Sequence, residues 1–67
     1  MPPRDPRIDP RIGDIVALGG TQVMVFGFRA DGWVMAAVGA PDFVGSIEAG
    51  VEAWRALFNS AEVVRAV

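Results

Sequence analysis

The stretch TQVMVFGFRADGWVMAAV, residues 21–38, decides the fold. Two runs rich in valine, methionine and aromatic residues flank the dipeptide Asp31-Gly32. Glycine after aspartate is a strong hairpin signal, because glycine readily adopts the positive φ that a tight turn or its adjoining bulge needs. We therefore predict two long antiparallel strands that are joined at this dipeptide.

Both faces of the predicted hairpin are apolar. Strict alternation places the small side chains on one face, namely Val23, Val25, Gly27, Val34, Ala36 and Val38. It places the bulky ones on the other face, namely Met24, Phe26, Phe28, Trp33 and Met35. A sheet with one face in water alternates apolar with polar side chains, so this pattern predicts that both faces are covered.

One helix is predicted within SIEAGVEAWRALFN, residues 46–59. Its apolar stripe has helical spacing and consists of Ile47, Val51, Trp54 and Phe58. Ser46 suits the N-cap, but Gly50 costs a helix about 1 kcal/mol relative to alanine, so a start near Val51 is the alternative. We expect this helix to cover part of the bulky face and the rest of that face to meet a partner.

Shorter signals complete the predicted sheet. GDIVALGG (13–20) and FVGS (43–46) predict a first and a fourth strand, and AEVVRAV (61–67) predicts the last. Five short strands in about 55 residues avoid long open edges by closing on themselves. The fold class is therefore mainly β: a small five-stranded barrel over residues 13–67, with one short helix before the last strand.

Residues 1–12 are a separate lead-in that contains the doubled motif Asp-Pro-Arg-Ile. Four prolines in the first ten residues predict an extended, polyproline-like segment that drapes Ile8 and Ile12 over the body. The alternative is a nucleic-acid arm that uses Arg4, Arg7 and Arg11. The interleaved aspartates nearly cancel these charges, which disfavours that alternative.

Composition excludes several classes of function. The 67 residues include no cysteine and no histidine, so disulfides, thiol chemistry and the usual zinc sites are excluded. The few hydroxyl side chains have no plausible base beside them, and we expect no catalytic residue, no metal and no cofactor. Residues 13–67 carry a net charge of −3, which makes nucleic acid an unfavourable partner.

The size and hydropathy of the chain favour association with other proteins. Hydrophobic residues make up 52% of a chain that is too short to bury them all, so we expect homo-oligomers or a protein partner. No apolar run approaches the ~18 residues of a membrane span, and we expect a cytoplasmic protein without membrane contact. The candidate interaction residues lie at and near the hairpin tip: Phe26, Phe28, Arg29, Asp31, Trp33 and Met35.

The segment GDIVALGG, followed by QVMV (22–25) and WVMAAV (33–38), resembles small SH3-like β-barrels. The most similar in pattern are short bacterial and phage-borne domains that open with Gly-Asp-x-Val, including YodC-like and KOW-type barrels. This resemblance implies a phage or prophage adaptor, assembly element or host-factor inhibitor. KOW-type members often contact RNA through basic loops, whereas the corresponding loops here carry Asp31 and Asp42 with only Arg29.

Overall fold

The computed structural model describes residues 4–67 of the chain and shows five strands and one helix there. In chain order the elements are β1 (Ile15–Leu18), β2 (Thr21–Phe28), β3 (Val34–Ala40), β4 (Phe43–Ala49), α1 (Val51–Leu57) and β5 (Glu62–Arg65). The predicted mainly-β class, with one short helix before the last strand, is confirmed.

All five strands belong to one antiparallel sheet with the order β4-β3-β2-β1-β5. Over residues 4–67 no ladder of backbone hydrogen bonds joins β4 to β5, so the sheet is open. The predicted closure into a barrel is therefore not observed. Two edge strands result, and they differ in length: β4 has seven residues and β5 has four.

The hairpin between β2 and β3 turns where the sequence predicts it. Gly32 has a φ of +88°, and its N–H donates to the carbonyl of Arg29 over 2.9 Å. The N–H of Arg29 donates in turn to the carbonyl of Trp33 over 2.8 Å, which closes the turn. The Asp-Gly signal is thus borne out by the geometry that motivated it.

A bulge at Phe26 interrupts the alternation that the sequence suggests. Val25 pairs with Ala36, but Gly27 pairs with Met35, so Phe26 is the extra residue on β2. Directly paired residues share a face of the sheet, so Gly27 lies on the face of Met35 and not on that of Val25. The predicted alternation therefore fails in the strand pairing, because periodicity cannot register an inserted residue. It holds in solvent exposure, since Gly27 is buried and both Phe26 and Phe28 are exposed.

The bulge also moves the next position of β2. Phe28 pairs with Val34, a buried residue of the core. Met24 itself pairs with Ala37 on the opposite side of the bulge. The pairing partners of the bulky residues thus change at the bulge, but Met24, Phe26 and Phe28 all remain exposed.

The helix covers the small-residue face of the sheet and not the bulky face. Trp54 and Phe58 are buried, and their ring centroids lie 4.3 Å apart. The core that they complete contains Val16, Val23, Val25, Val34, Ala36 and Ala61. The small side chains of this face leave enough space for two large rings to pack without voids. The expected position of the helix was therefore wrong because side-chain volume decides which face it can cover.

Of the two predicted helix starts, the later one is right. Helix α1 begins at Val51, and β4 continues to Ala49 where the sequence predicted the first helical turn. Ile47 is a strand residue that pairs with Ala36 and packs against the core, so it does not belong to the helical stripe. Gly50 occupies the N-cap without a side-chain hydrogen bond and separates the two elements.

The described part of the lead-in is folded rather than extended. The carbonyl of Asp5 accepts hydrogen bonds from the N–H groups of Ile8 (3.0 Å) and Asp9 (2.8 Å), which forms a helical turn. Pro6 fits this turn because its fixed φ suits a first helical position. The part of the prediction that concerns residues 1–3 lies outside the described residues.

Packing of the lead-in involves its prolines and not its isoleucines. Pro6 and Pro10 are buried, whereas Ile8 and Ile12 are exposed, so the predicted draping of the isoleucines was wrong. The indole Nε1–H of Trp54 donates to the carbonyl of Pro6 over 2.9 Å. The turn of the lead-in thereby becomes part of the same packed body as the sheet and the helix.

Candidate protein-interaction surface

Three aromatic side chains remain open to solvent on and beside the β2–β3 hairpin. Phe26, Phe28 and Trp33 are 48%, 39% and 43% exposed. Large aromatic groups are usually buried, and clustered exposure of this kind marks surfaces that bind other molecules. We name Phe26, Phe28, Arg29, Asp31 and Trp33 together the aromatic tip.

Arg29 organises the aromatic tip. Its guanidinium carbon lies 4.7 Å from the centre of the Trp33 ring, which is the geometry of a cation–π contact. Its Nη2 lies 2.7 Å from a carboxylate oxygen of Asp31, and its Nε lies 3.6 Å from an oxygen of Glu48. These contacts hold the arginine and the indole in one arrangement before any partner arrives.

Backbone contacts fix the tip further. The backbone N–H of Trp33 donates to Oδ1 of Asp31 over 3.2 Å, which places the carboxylate inside the turn. The indole nitrogen of Trp33 lies 3.6 Å from the point where a Cβ on Gly50 would stand. The indole of Trp33 therefore packs against the start of the helix at ordinary contact distance.

Met35 does not join the aromatic tip. It pairs with Gly27 across the ladder, and its Cε lies 3.0 Å from the point where a Cβ of Gly27 would stand. Of the six candidate interaction residues, contacts bring Arg29, Asp31 and Trp33 together, while Phe28 lies beside Val34. Met35 is half-buried and belongs with Met24 and Ala37 on the outer face.

The expectation that the helix covers part of the bulky face was wrong. Met24 and Phe26 are exposed, because the single helix lies on the opposite face of the sheet. Nothing else among residues 4–67 is long enough to cover the outer face, since the remaining segments are turns and the lead-in packs on Trp54. The outer face thus keeps an apolar surface in water.

Each arginine of the proposed nucleic-acid arm faces an aspartate of the same chain. Arg4 and Arg7 lie within 2.8 Å of carboxylate oxygens of Asp14 and Asp5. Arg11 lies 3.8 Å from Asp9 and is the most exposed of the three. A phosphate backbone would have to compete with these intramolecular ion pairs, which weakens the case for a nucleic-acid arm.

Asp14 is the residue that inspection of the sequence missed. It is completely buried, and its carboxylate accepts hydrogen bonds from the guanidinium of Arg4 and from the backbone N–H groups of Arg11 and Val67. Burial alone would raise its pKa, but the hydrogen bonds from Arg4, Val67 and Arg11 outweigh burial and lower the pKa to about 2.

The buried carboxylate of Asp14 therefore links three segments: the lead-in, the start of β1 and the segment after β5. Arg4 also donates to the carbonyls of Asp9 and Val67, so both partners of the ion pair bridge the lead-in and the segment after β5. The sequence signal for this role was an aspartate directly before the first strand with arginines upstream of it. The signal was not recognised, because the arginines of the doubled motif were expected to pair with the aspartates inside that motif.

A concave surface between the lead-in and the helix has a volume of about 360 Å³ and is lined by Asp5, Arg7, Ile8, Arg55 and Asn59. Its charged groups already have partners: Arg7 binds Asp5, and Nε of Arg55 donates to the carbonyl of Ile8 over 2.8 Å. No three acidic residues in the described part of the chain are grouped as a metal site would need. The one helix within residues 4–67 is too short to cross a membrane.

Comparison with known proteins identifies no relative: no family model, curated protein or solved structure matches the chain. The likeness to SH3-like barrels therefore depends on the motif in residues 13–20 and on the strand pattern.

Proposed function

We propose that this protein is a non-catalytic protein–protein interaction or assembly module that binds through its aromatic tip. The observation that carries the proposal is the exposure of Trp33, which packs on Arg29, together with the exposure of Phe26 and Phe28 on the adjoining strand. Tryptophan, phenylalanine and arginine are enriched at protein interfaces, and tryptophan and arginine dominate their binding energy.

The tip has the physical properties of a binding surface. Its arginine is held by Asp31, Glu48 and the indole ring, so ordering these groups on binding costs little conformational entropy. Both signs of charge flank the rings, which suits a partner that is itself a mixed protein surface. A uniformly anionic polymer such as RNA would meet Asp31 and Glu48 as repulsive neighbours.

A nucleic-acid-associated module that uses Arg4, Arg7 and Arg11 is the alternative. The ion pairs with Asp14, Asp5 and Asp9 disfavour it, because they leave little free positive charge in the lead-in. The five antiparallel strands and the short helix are compatible with an SH3-like sheet that has not closed, and the proposed roles are adaptor, structural element or host-factor inhibitor of phage or prophage origin.

The test is a quantitative pull-down from an extract of the source organism. Wild-type protein, the double variant F28A/W33A and the control variant L57A are immobilised at equal density. Leu57 is an exposed apolar residue of α1, remote from the tip in sequence, so its truncation controls for the loss of surface hydrophobicity. Circular dichroism first confirms that all three proteins are folded.

We expect the wild type and L57A to retain the same extract proteins equally well. F28A/W33A should bind those proteins at least tenfold more weakly. Equal retention by all three proteins would show that the tip is not the binding surface. Retention that disappears equally in both variants would show a non-specific hydrophobic effect.

A further inference from the structure

We infer that the free edge of β4 pairs with β4 of a second copy to form a two-fold symmetric dimer. The inference depends on the proposed assembly role and names its partner. Three features of the sheet favour this dimer: the difference between its two edges, the apolar side chains of β4 and the register that a two-fold axis permits.

The two edges of the sheet differ in how well they resist pairing. β5 has four residues, begins at Glu62, ends at Arg65, and its ladder with β1 contains a register shift. Short length, charge and irregularity are the features with which proteins protect sheet edges. The β4 edge is less protected: its seven residues pair with β3 without a register shift, it contains no proline or lysine, and its one charged residue is Glu48 near the end of the strand.

Side chains on β4 also favour contact with another strand. Val44 is 88% exposed, and Phe43 beside it is exposed as well. The ring of Phe43 lies over Gly45 of its own strand, with Cζ 2.6 Å from the point where a Cβ of Gly45 would stand. An apolar strand of this length with free backbone groups is a site for strand addition.

Symmetry limits the possible registers. A two-fold axis between two antiparallel copies of one strand keeps both helices on the same side of the joined sheet. Because paired residues must point to the same face, the allowed registers are separated from one another by steps of two residues. Full overlap of the seven residues places Ser46 opposite the partner's Ser46. Phe43 then faces the partner's Ala49, and Val44 faces the partner's Glu48.

This register suits the charges of the strand. Each Glu48 lies opposite a valine, and the two Glu48 side chains are about 13 Å apart at the rise of an extended strand, which exceeds the screening length of about 8 Å at physiological salt. Arg29 accompanies each Glu48, with Nε 3.6 Å from its carboxylate. A register shifted four residues toward the helix would oppose the two glutamates directly and is unfavourable.

The same register adds side-chain contacts to the backbone pairing on both faces of the joined sheet. Phe43 meets the partner's Ala49 on the face that carries Val34, and Val44 meets the partner's Glu48 on the face that carries Met35. This matters because a stable interface buries about 800 Å² per partner, more than a pair of edge strands supplies by its backbone alone.

Opposite charges at position 44 test the register. The variants are V44E and V44K, and the matched controls are L57E and L57K on the helix. Val44 is almost fully exposed, so neither substitution disturbs the fold of a single copy. In the proposed register V44E places two carboxylates opposite each other at two symmetric positions, whereas V44K places an ammonium opposite the partner's Glu48.

Sedimentation velocity and native mass spectrometry from 1 to 500 μM measure the dimer. We expect a wild-type dimer that does not grow further, because pairing consumes both β4 edges. V44E should weaken dimerisation at least tenfold, V44K should leave it equal or tighter, and the position-57 variants should leave it unchanged. A monomer throughout, open-ended growth, or equal loss in V44E and V44K would overturn the inference.

Hydrogen exchange provides an independent measurement. In the dimer, amides of β4 that are otherwise free should gain protection as the protein concentration rises, while those of β5 should not. A monomeric protein whose tip still retains partners in the pull-down would overturn the β4 dimer and leave the proposed function standing. A dimer whose tip variant F28A/W33A still retains every partner would overturn the proposed function and leave the β4 dimer standing.

Discussion

Replacing Asp14 by asparagine should be among the most damaging single changes in this protein. Its carboxylate accepts two hydrogen bonds from the guanidinium of Arg4 and one each from the N–H groups of Arg11 and Val67. Asparagine keeps one acceptor oxygen and presents an NH₂ group to the remaining donors. The variant therefore loses the charge and leaves buried donors without an acceptor.

The magnitude follows from the pKa. A change from 3.8 in the unfolded chain to about 2 in the fold corresponds to about 2 kcal/mol of stabilisation. Buried donors without a partner add roughly 1 kcal/mol, which gives a total near 3 kcal/mol. A chain of this length has a total stability of roughly 3–10 kcal/mol, so this loss is a large part of it. In a domain of this size each kcal/mol lowers the melting temperature by about 4–8 °C, so D14N should lower it by about 10–20 °C.

The pH dependence of this loss has a definite sign. Because folding lowers the pKa of Asp14, its stabilisation is present above pH ~4 and disappears as the pH falls toward 2. Urea denaturation of the wild type and D14N should therefore show a constant difference between pH 5 and 8. That difference should shrink between pH 4 and 2.

D9N is the matched control for D14N. The Asp9 side chain is exposed and lies 3.8 Å from Arg11, so D9N should change the free energy of unfolding by less than about 0.5 kcal/mol. Equal denaturation midpoints for D14N and D9N, or a D14N deficit that persists undiminished at pH 2, would refute the assignment of Asp14 as the residue that fastens the lead-in.

Three further predictions concern the hairpin, the lead-in and nucleic acid. G32A should lower the free energy of unfolding by about 1 kcal/mol or more in urea titration, because a φ of +88° is unfavourable for a residue with a Cβ. W54F should cost roughly 2–3 kcal/mol in the same titration, since the carbonyl of Pro6 loses its indole donor and the smaller ring leaves a cavity in the core. If the three arginines bound DNA phosphates, a fluorescence anisotropy titration with duplex DNA would show the logarithm of the binding constant falling with the logarithm of the salt concentration at a slope of about −2.7. We expect no binding with this salt dependence.

The sequence predicted those features of the fold that depend on local chemistry. Asp31-Gly32 specifies its own turn, and the helix after Gly50 follows from the apolar spacing of Val51, Trp54 and Phe58. The choice between two helix starts needed tertiary information, because residues 46–49 pair with β3 and that pairing outweighs the signals for a helix.

What the sequence did not predict depends on contacts between distant residues. The bulge at Phe26 changes the pairing partner of each later residue of β2, and no pattern of single residues reveals an unpaired position. The partnership of Asp14 with Arg4 and Val67 likewise joins segments up to 53 residues apart. The aromatic tip could be proposed from the sequence because its residues are adjacent in the hairpin, whereas the open β4 edge became visible only from the strand order.

Site-specific photocrosslinking in the source organism tests the binding role of the aromatic tip most directly. A photoreactive phenylalanine analogue replaces Phe28 in one protein and Leu57 in another, and adducts are identified by mass spectrometry after irradiation. We expect discrete protein adducts at position 28 that are absent at position 57. The same adducts at both positions, or discrete adducts at position 57 alone, would contradict this expectation.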